Sequence, residues 1–507
     1  MDTRIPRRLF LQASAGMGLG SGLGIGSIGI TPGLASEMIV RPDGVRLRPE
    51  IEPVVQWIEA TPRDKILDAA VQHMRDGLPY RELMAGLFLA GIRNIKPRPV
   101  GFKFHAVMVI HSAHLLGQNA LEDERLIPMF WALDNFKASQ EADVREGDWT
   151  LGRVEESVIP SAISAKSSFL KAMDEWDEAA ADAATAALCR SHGAAETMEA
   201  FWKYAVRDHR SIGHKAIFAA QSWRTLQTIG WANAEPVLRS LAFGMLDRHG
   251  DSGRNAVGPY DVNLELAKTI REEWAVGKAD PGATVSLLSV LRTATPENAS
   301  RDVAELLNHG VGASSLWDAV MLASSEMLVQ KPGIIALHAM TSANALHYIF
   351  GQSGDDTTRK MALLQAAGWT VLFRIALGKV EGPRLDSLDP IDPDAKGEDA
   401  VGEIFATVRE SRTRAVAKTL GYLARGGSPD AIFAAGRRRI FHAGRDSHDF
   451  KYAAAAWEEA RFASDPKWMT SLTASTLAYF PGADAEDSPL MTRAKVAVSS
   501  VLGRSSG

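Results

Sequence analysis

A histidine and a lysine three residues apart, His448 and Lys451, open an Ala-rich stretch reading DSHDFKYAAAAWEE from Asp446 to Glu459. At helical spacing the two side chains share one face. A neutral imidazole is a ready metal ligand and a lysine ammonium is not, so the pair makes chemical sense around a metal only if the lysine is deprotonated or modified. Three further stretches carry histidines in apolar surroundings: FHAVMVIHSAHLL (His105, His111, His114), RDHRSIGHKAIFAAQSW (His209, His214) and GIIALHAMTSANALHYIF (His338, His347). One histidine from each, with His448, would build a ring of imidazoles in a helical core, where facing helices make metal sites from inward side chains. A lone histidine on an apolar helix is more often a hydrogen-bonded core residue, and it is the grouping on separate helices that favours a metal. The single cysteine, Cys189, leaves no route to an intramolecular disulfide or to a cysteine-built zinc or iron–sulfur site. His192, beside a glycine, reads as a helix-end residue, and His249, in HGDSG, as a turn residue.

Positioning these residues falls to helices. Apolar residues recur at three- and four-residue spacing over residues 53–58, 64–74 and 80–91, with Pro62 and Pro79 at helix starts. Residues 102–116 are mostly apolar on all sides and predict one buried helix, with His111 and His114 on one face of it. Two unpaired buried imidazoles would be unfavourable, so these need hydrogen bonds or a metal. Residues 126–140 predict another helix, running into the polar connection EADVREGDWTLGRVEES. Its Trp149 and Gly147 suit a pocket wall or lid, or else a solvated loop pinned by one tryptophan. Helical patterns continue through 167–207, 211–229, 231–247 and 314–329, the last leading through Lys331-Pro332-Gly333 into the helix of His338. Residues 381–399, rich in Pro and Asp, form the one clear linker, expected on the surface. His448 and Lys451 lie beyond it, so a shared site would tie both parts into one domain. The expected architecture is all-α: a single large multi-helix domain over residues 36–507, with histidines converging from several core helices. An α-repeat solenoid is the alternative.

The 507 residues are 46% hydrophobic and 23% charged, which is enough apolar material for a sizeable globular core. A net charge of -5 carries no electrostatic footprint for nucleic acid. The chain has no G-x-G-x-x-G after a strand, no Walker loop and no G-x-S-x-G elbow, so nucleotide binding and serine hydrolase chemistry find no support. At the N-terminus, Arg7 and Arg8 precede Phe10 and Leu11, a Gly-rich and weakly apolar stretch runs to about Ile30, and Gly33-Leu34-Ala35 offers a small-x-small cleavage site. Residues 1–35 thus resemble a twin-arginine export signal. The many glycines and few Leu and Phe argue against a stable membrane span. The expected partner in export is the twin-arginine translocase, and the expected location is the periplasm or another extracytoplasmic space.

Four short patterns are similar to those of the questin oxidase-like family: SAHLL, the GH of SIGHKAIF, the HxxTS of HAMTSANAL and the HxxK of SHDFKYAAAAWEE. They follow the family's order and span most of the chain after the signal. The resemblance implies a mostly helical, mononuclear non-haem Fe(II) oxygenase that uses dioxygen on polycyclic aromatic quinones or related phenols. It implies His114, His214, His338 and His448 as metal ligands, with a carbamylated Lys451 as an anionic oxygen donor. His111 is the alternative to His114. On that reading Trp131, Trp149 and Trp223 are candidate walls of an aromatic-lined pocket, and Asn135, Lys137 and Gln221 are candidates for orienting substrate oxygens. Two other classes use the same residues differently: a hydrolase or lyase around zinc or manganese, and a non-catalytic helical interaction protein whose histidines are satisfied singly.

Overall fold

Every regular element among the described residues, 44–248 and 258–503 of a computed structural model, is a helix. The only β-pairings among them are two isolated bridges, Gly44 with Gly152 and Lys278 with Val311. The export signal read at residues 1–35, the turn residue His249 and the end of the polar C-terminal tail lie outside the described residues.

The helices that position the histidines are α1 (Glu52–Ala60), α2 (Tyr80–Asn94), α3 (His105–Met108), α4 (Ile110–Gln118), α5 (Ile127–Arg145), α6 (His214–Ile229), α7 (Ala313–Gln330), α8 (Ile334–Gln352), α9 (Asp356–Leu377) and α10 (Ser447–Phe462). Helix α10 shows why this sequence folds as it does. Asp446 caps it and forms a capping box with Asp449, and the four alanines 453–456 behind the cap have the highest helix propensity and the smallest side chains. That lean face lets α10 pack against both α4 and α8. Helix α8 in turn packs on α6, α7 and α9. α9 is long and apolar enough to cross a membrane, yet most of it is buried inside the fold, as the central helix of a packed bundle would be.

The single helix expected over 102–116 is instead a 3₁₀ turn, Phe102–Phe104, followed by α3 and α4 with an interruption at Val109. The linker at 381–399 is mostly exposed, as expected, but it is also anchored. Leu385 is buried and its N–H donates to Glu326, while Asp386 shares Arg292 with Glu326. Elements on both sides of the linker pack together, so the described residues form one compact unit.

Candidate metal centre

His105, His214, His338 and His448 come together, with one nitrogen of each lying within 4.8 Å of the others. All four stand within the first five residues of a helix: α3, α6, α8 and α10 respectively. In the first turn a side chain can reach back to an acceptor that precedes the helix or opens it, and each of these does. His105 Nδ1 donates to the Phe102 carbonyl (2.7 Å), His214 Nδ1 to that of Ser211 (2.5 Å), His338 Nδ1 to that of Ile334 (2.7 Å) and His448 Nδ1 to the Asp446 carboxylate (2.5 Å).

Those four bonds decide the chemistry of the other ring nitrogen. A carbonyl or carboxylate oxygen only accepts, so each Nδ1 carries a proton, and in the neutral imidazole the Nε2 is then the nitrogen with the lone pair. His105 Nε2 and His338 Nε2 both lie 3.0 Å from His214 Nε2, and His448 Nε2 is buried without a partner. Lone pairs facing each other at that distance, with no proton to share, repel; a cation between them removes the repulsion and satisfies all four. An oriented imidazole whose second nitrogen is held by an oxygen is also the usual outer arrangement of a metal-bound histidine. Burial, reinforced by the positive charge of Lys451 and by neighbouring imidazoles, holds His105 and His214 well below the ordinary histidine range. Burial and the neighbouring His214 do the same for His338. The neutral form that a metal needs is therefore the resting form.

Lys451 lies one turn beyond His448 on α10, is buried, and its Nζ has no hydrogen-bond partner. Burial pushes its pKa down to about 7 despite the nearby Asp446 carboxylate. Its charge is felt by three of the four histidines. Helix N-termini carry partial positive charge, and the starts of α6, α8 and α10 lie at this site. An anionic oxygen at Lys451 would offset both the helix ends and the ion, and a carbamate is the form of lysine that supplies one.

The imidazoles open onto a chamber of about 580 Å³. One wall is apolar, built by Val100, Phe102, Ile212 and Ile334, and another is polar, built by Asn135, Ser139 and Ser447. The backbone around it is strained. Phe102 (φ 46°), Ser211 (φ 55°) and Ile212 (φ 50°) are left-handed, which is costly for an aromatic or β-branched residue, and Phe102 and Ser211 are the residues whose carbonyls hold His105 and His214. Gly101 (φ 125°) makes that turn possible, and a Cβ there would stand 3.1 Å from His214 Cε1.

The structure thus brings His214, His338, His448 and Lys451 together as the sequence suggests, and corrects the fourth histidine. His105 takes the place given to His114 or His111. His114 stands nine positions on, in α4 beyond the interruption at Val109, and at about 100° per residue that places it on the face away from His105. His114 Nδ1 pairs with the Tyr80 hydroxyl of α2 at 3.1 Å, and His111 Nδ1 is buried without a partner away from the cluster.

Of the six candidate substrate contacts, only Asn135 lines the histidine chamber. Trp131 stacks on Phe450 of α10, with ring centroids 4.3 Å apart, and faces a neighbouring cleft. Lys137 is spent on the Ile58 and Glu59 carbonyls at the end of α1 and on Gln140. Trp149 pins its loop through an N–H bond to Asp143 and a stack on Phe243, so it is neither wall nor lid of the chamber. Gln221 donates to Ser112 (3.4 Å), and the Trp223 indole donates to Gln352 (3.0 Å). The residues that sequence reading missed are His105, Phe102, Ser211, Ile212, Ile334 and Ser447. One signal was available: each clustered histidine follows a glycine closely, His105 after Gly101, His214 after Gly213, His338 after Gly333 and His448 after Gly444.

No family model, no curated protein and no solved structure matches this chain.

Proposed function

We propose that this protein is a metal-dependent oxidoreductase, a mononuclear non-haem Fe(II) oxygenase acting on an aromatic or quinone-like substrate after export from the cytoplasm. The observation that carries the reading is the convergence of four Nε2 lone pairs whose Nδ1 protons are all committed to oxygen acceptors. Four imidazoles with a fifth donor from Lys451 would suit a redox metal such as iron better than the four-coordinate preference of structural zinc. The four short motifs similar to the questin oxidase-like family add support for iron and for dioxygen.

His105, His214, His338 and His448 would hold the ion. Lys451, once its neutral amine has taken up carbon dioxide and released a proton, would add a carbamate oxygen. Iron bound there would supply a site at which dioxygen reacts, with the electron-rich substrate itself as the other source of electrons. The chain's own part is positional. Phe102, Ile212 and Ile334 offer an apolar surface to a ring, Asn135 Nδ2 and Ser447 Oγ present hydrogen-bonding groups to substrate oxygens, and the strained turns at Phe102 and Ser211 keep two imidazoles from rotating. Metal analysis of protein loaded in its native host, together with oxygen-electrode traces in the presence of candidate phenols, tests the reading. Near-stoichiometric iron and substrate-dependent oxygen uptake are expected. Zinc alone, with no oxygen uptake under any substrate, would replace it with a hydrolase or lyase.

A further inference from the structure

Beside the histidine chamber lies a larger cleft of about 1100 Å³. The two cavities share Asn135 and Arg445 as wall, and Asn135 Nδ2 donates to Ser447 Oγ at 3.1 Å where they meet. Most charges in the cleft are already matched. Arg63 and Arg493 both hold Asp134, Glu59 holds Arg93, and Lys137 is occupied by carbonyls. Glu141 and Arg145 stand one turn apart on α5 with opposite sign. Arg445 differs: it is exposed, its backbone N–H donates to Asp449 (2.9 Å), and its guanidinium forms no ion pair among the described residues. The one acid beside it on the chamber wall, Asp446, is turned onto its own helix, accepting from the backbone N–H and the ring of His448. An unmatched guanidinium where the two cavities meet is a place for an anion, in a geometry that favours planar carboxylates.

We infer that the two cavities form one binding site, and that its ligand is an aromatic body carrying a carboxylate: the body lies in the chamber against Phe102, Ile212 and Ile334, and the carboxylate passes Asn135 to reach Arg445 at the outer cleft. The inference rests on the chamber being the substrate site of the proposed oxygenase, and adds to it the charge and the direction of the substrate. The chamber's size fits a fused bicyclic or tricyclic ring system, and the outer cleft leaves room for whatever the carboxylate is attached to.

Calorimetric titration of the full chain with naphthalene-2-carboxylate and with its neutral amide tests this, with metal content measured on the same samples. The carboxylate is expected to bind at least tenfold more tightly than the amide, and Arg445→Gln to abolish the difference. That variant should keep the wild-type metal content and helical circular dichroism, since an exposed arginine outside the ligand set is changed. Equal binding of the two probes, binding of neither, or a preference that survives Arg445→Gln would overturn the inference. The two readings fail separately. A carboxylate preference in a protein that takes up no metal would sink the oxygenase and leave this site standing, whereas a loaded iron centre with no preference would do the reverse.

Discussion

Replacing His105 with alanine separates the structure's ligand set from the one that sequence motifs suggest. The substitution removes an Nε2 that stands 3.0 Å from that of His214, together with a single hydrogen bond to the Phe102 carbonyl. In wild type, a metal at a hundred times its Kd adds about 2.7 kcal/mol to stability by mass action. At about 2.1 cal/mol/K per residue, unfolding a chain of 507 residues carries an entropy of roughly 1 kcal/mol/K, so the metal should raise Tm by about 3 °C. Even the outer hydrogen-bond partners of a metal ligand are worth about 10–100-fold in affinity, so loss of the ligand itself should cost at least ~100-fold. At the same metal concentration the increment then falls to about 0.4 kcal/mol, or roughly 0.4 °C. His114→Ala is the counterpart. It strips the partner from the buried Tyr80 hydroxyl and should cost about 1–3 kcal/mol of base stability. Its metal increment should stay at about 3 °C. Scanning calorimetry with and without Fe(II) under anaerobic conditions, with metal content measured in parallel, reads both numbers. A full increment in His105→Ala, or its loss in His114→Ala, would refute the geometry argued from the Nδ1 donors.

Lys451→Ala should lower metal content, with partial recovery on adding bicarbonate or short carboxylates, while the Ala-rich α10 keeps the fold; wild-type occupancy in that variant would rule the lysine out as a ligand. Asp446→Asn keeps a good helix cap but weakens the acceptor for His448 Nδ1, so chelator titration should find metal affinity down about tenfold with little change in helix content. Inside the core, His347 donates to Glu459 at 2.7 Å, and although burial lowers its pKa, the Glu459 charge and hydrogen bond outweigh burial and hold it above its ordinary 6.5. The stabilisation from this raised pKa is complete below pH 6.5 and fades as pH rises through the folded pKa. His347→Leu should therefore cost about 3–5 kcal/mol in denaturant melts at pH 6 and less at pH 9, and a cost that did not change with pH would count against the pairing. Changing Arg7 and Arg8 together to Lys should strand the precursor in the cytoplasm on fractionation, and normal export of that variant would dismiss the twin-arginine reading.

Much of the site was legible in the chain itself, for reasons that are local. An Ala-rich run behind a capping Asp446 can only be a well-made helix, and His448 with Lys451 three residues on must share its face whatever it packs against. His214 and His338 sit on helices apolar enough to be core, so the all-α class followed from periodicity, while the choice of His214 over His209 and of His338 over His347 came from the short motifs that resemble the questin oxidase-like family. What periodicity could not supply is absolute phase: it ranks faces of a helix by hydrophobicity, and residues 102–116 are apolar on all of them. The turn at Gly101 and Phe102, with its positive φ, starts α3 so that His105 faces inward and His114 faces Tyr80. The aromatic candidates failed for a related reason. Trp149 and Trp223 each found a local stack or hydrogen bond, and a tryptophan's direction depends on its neighbours in space. Composition, spacing and caps determined which helices form and which imidazoles lie in the core. Only tertiary packing, with strained turns at the starts of α3 and α6, decided which nitrogens meet, because the rotation of one helix against another is set by contacts between residues far apart in the chain.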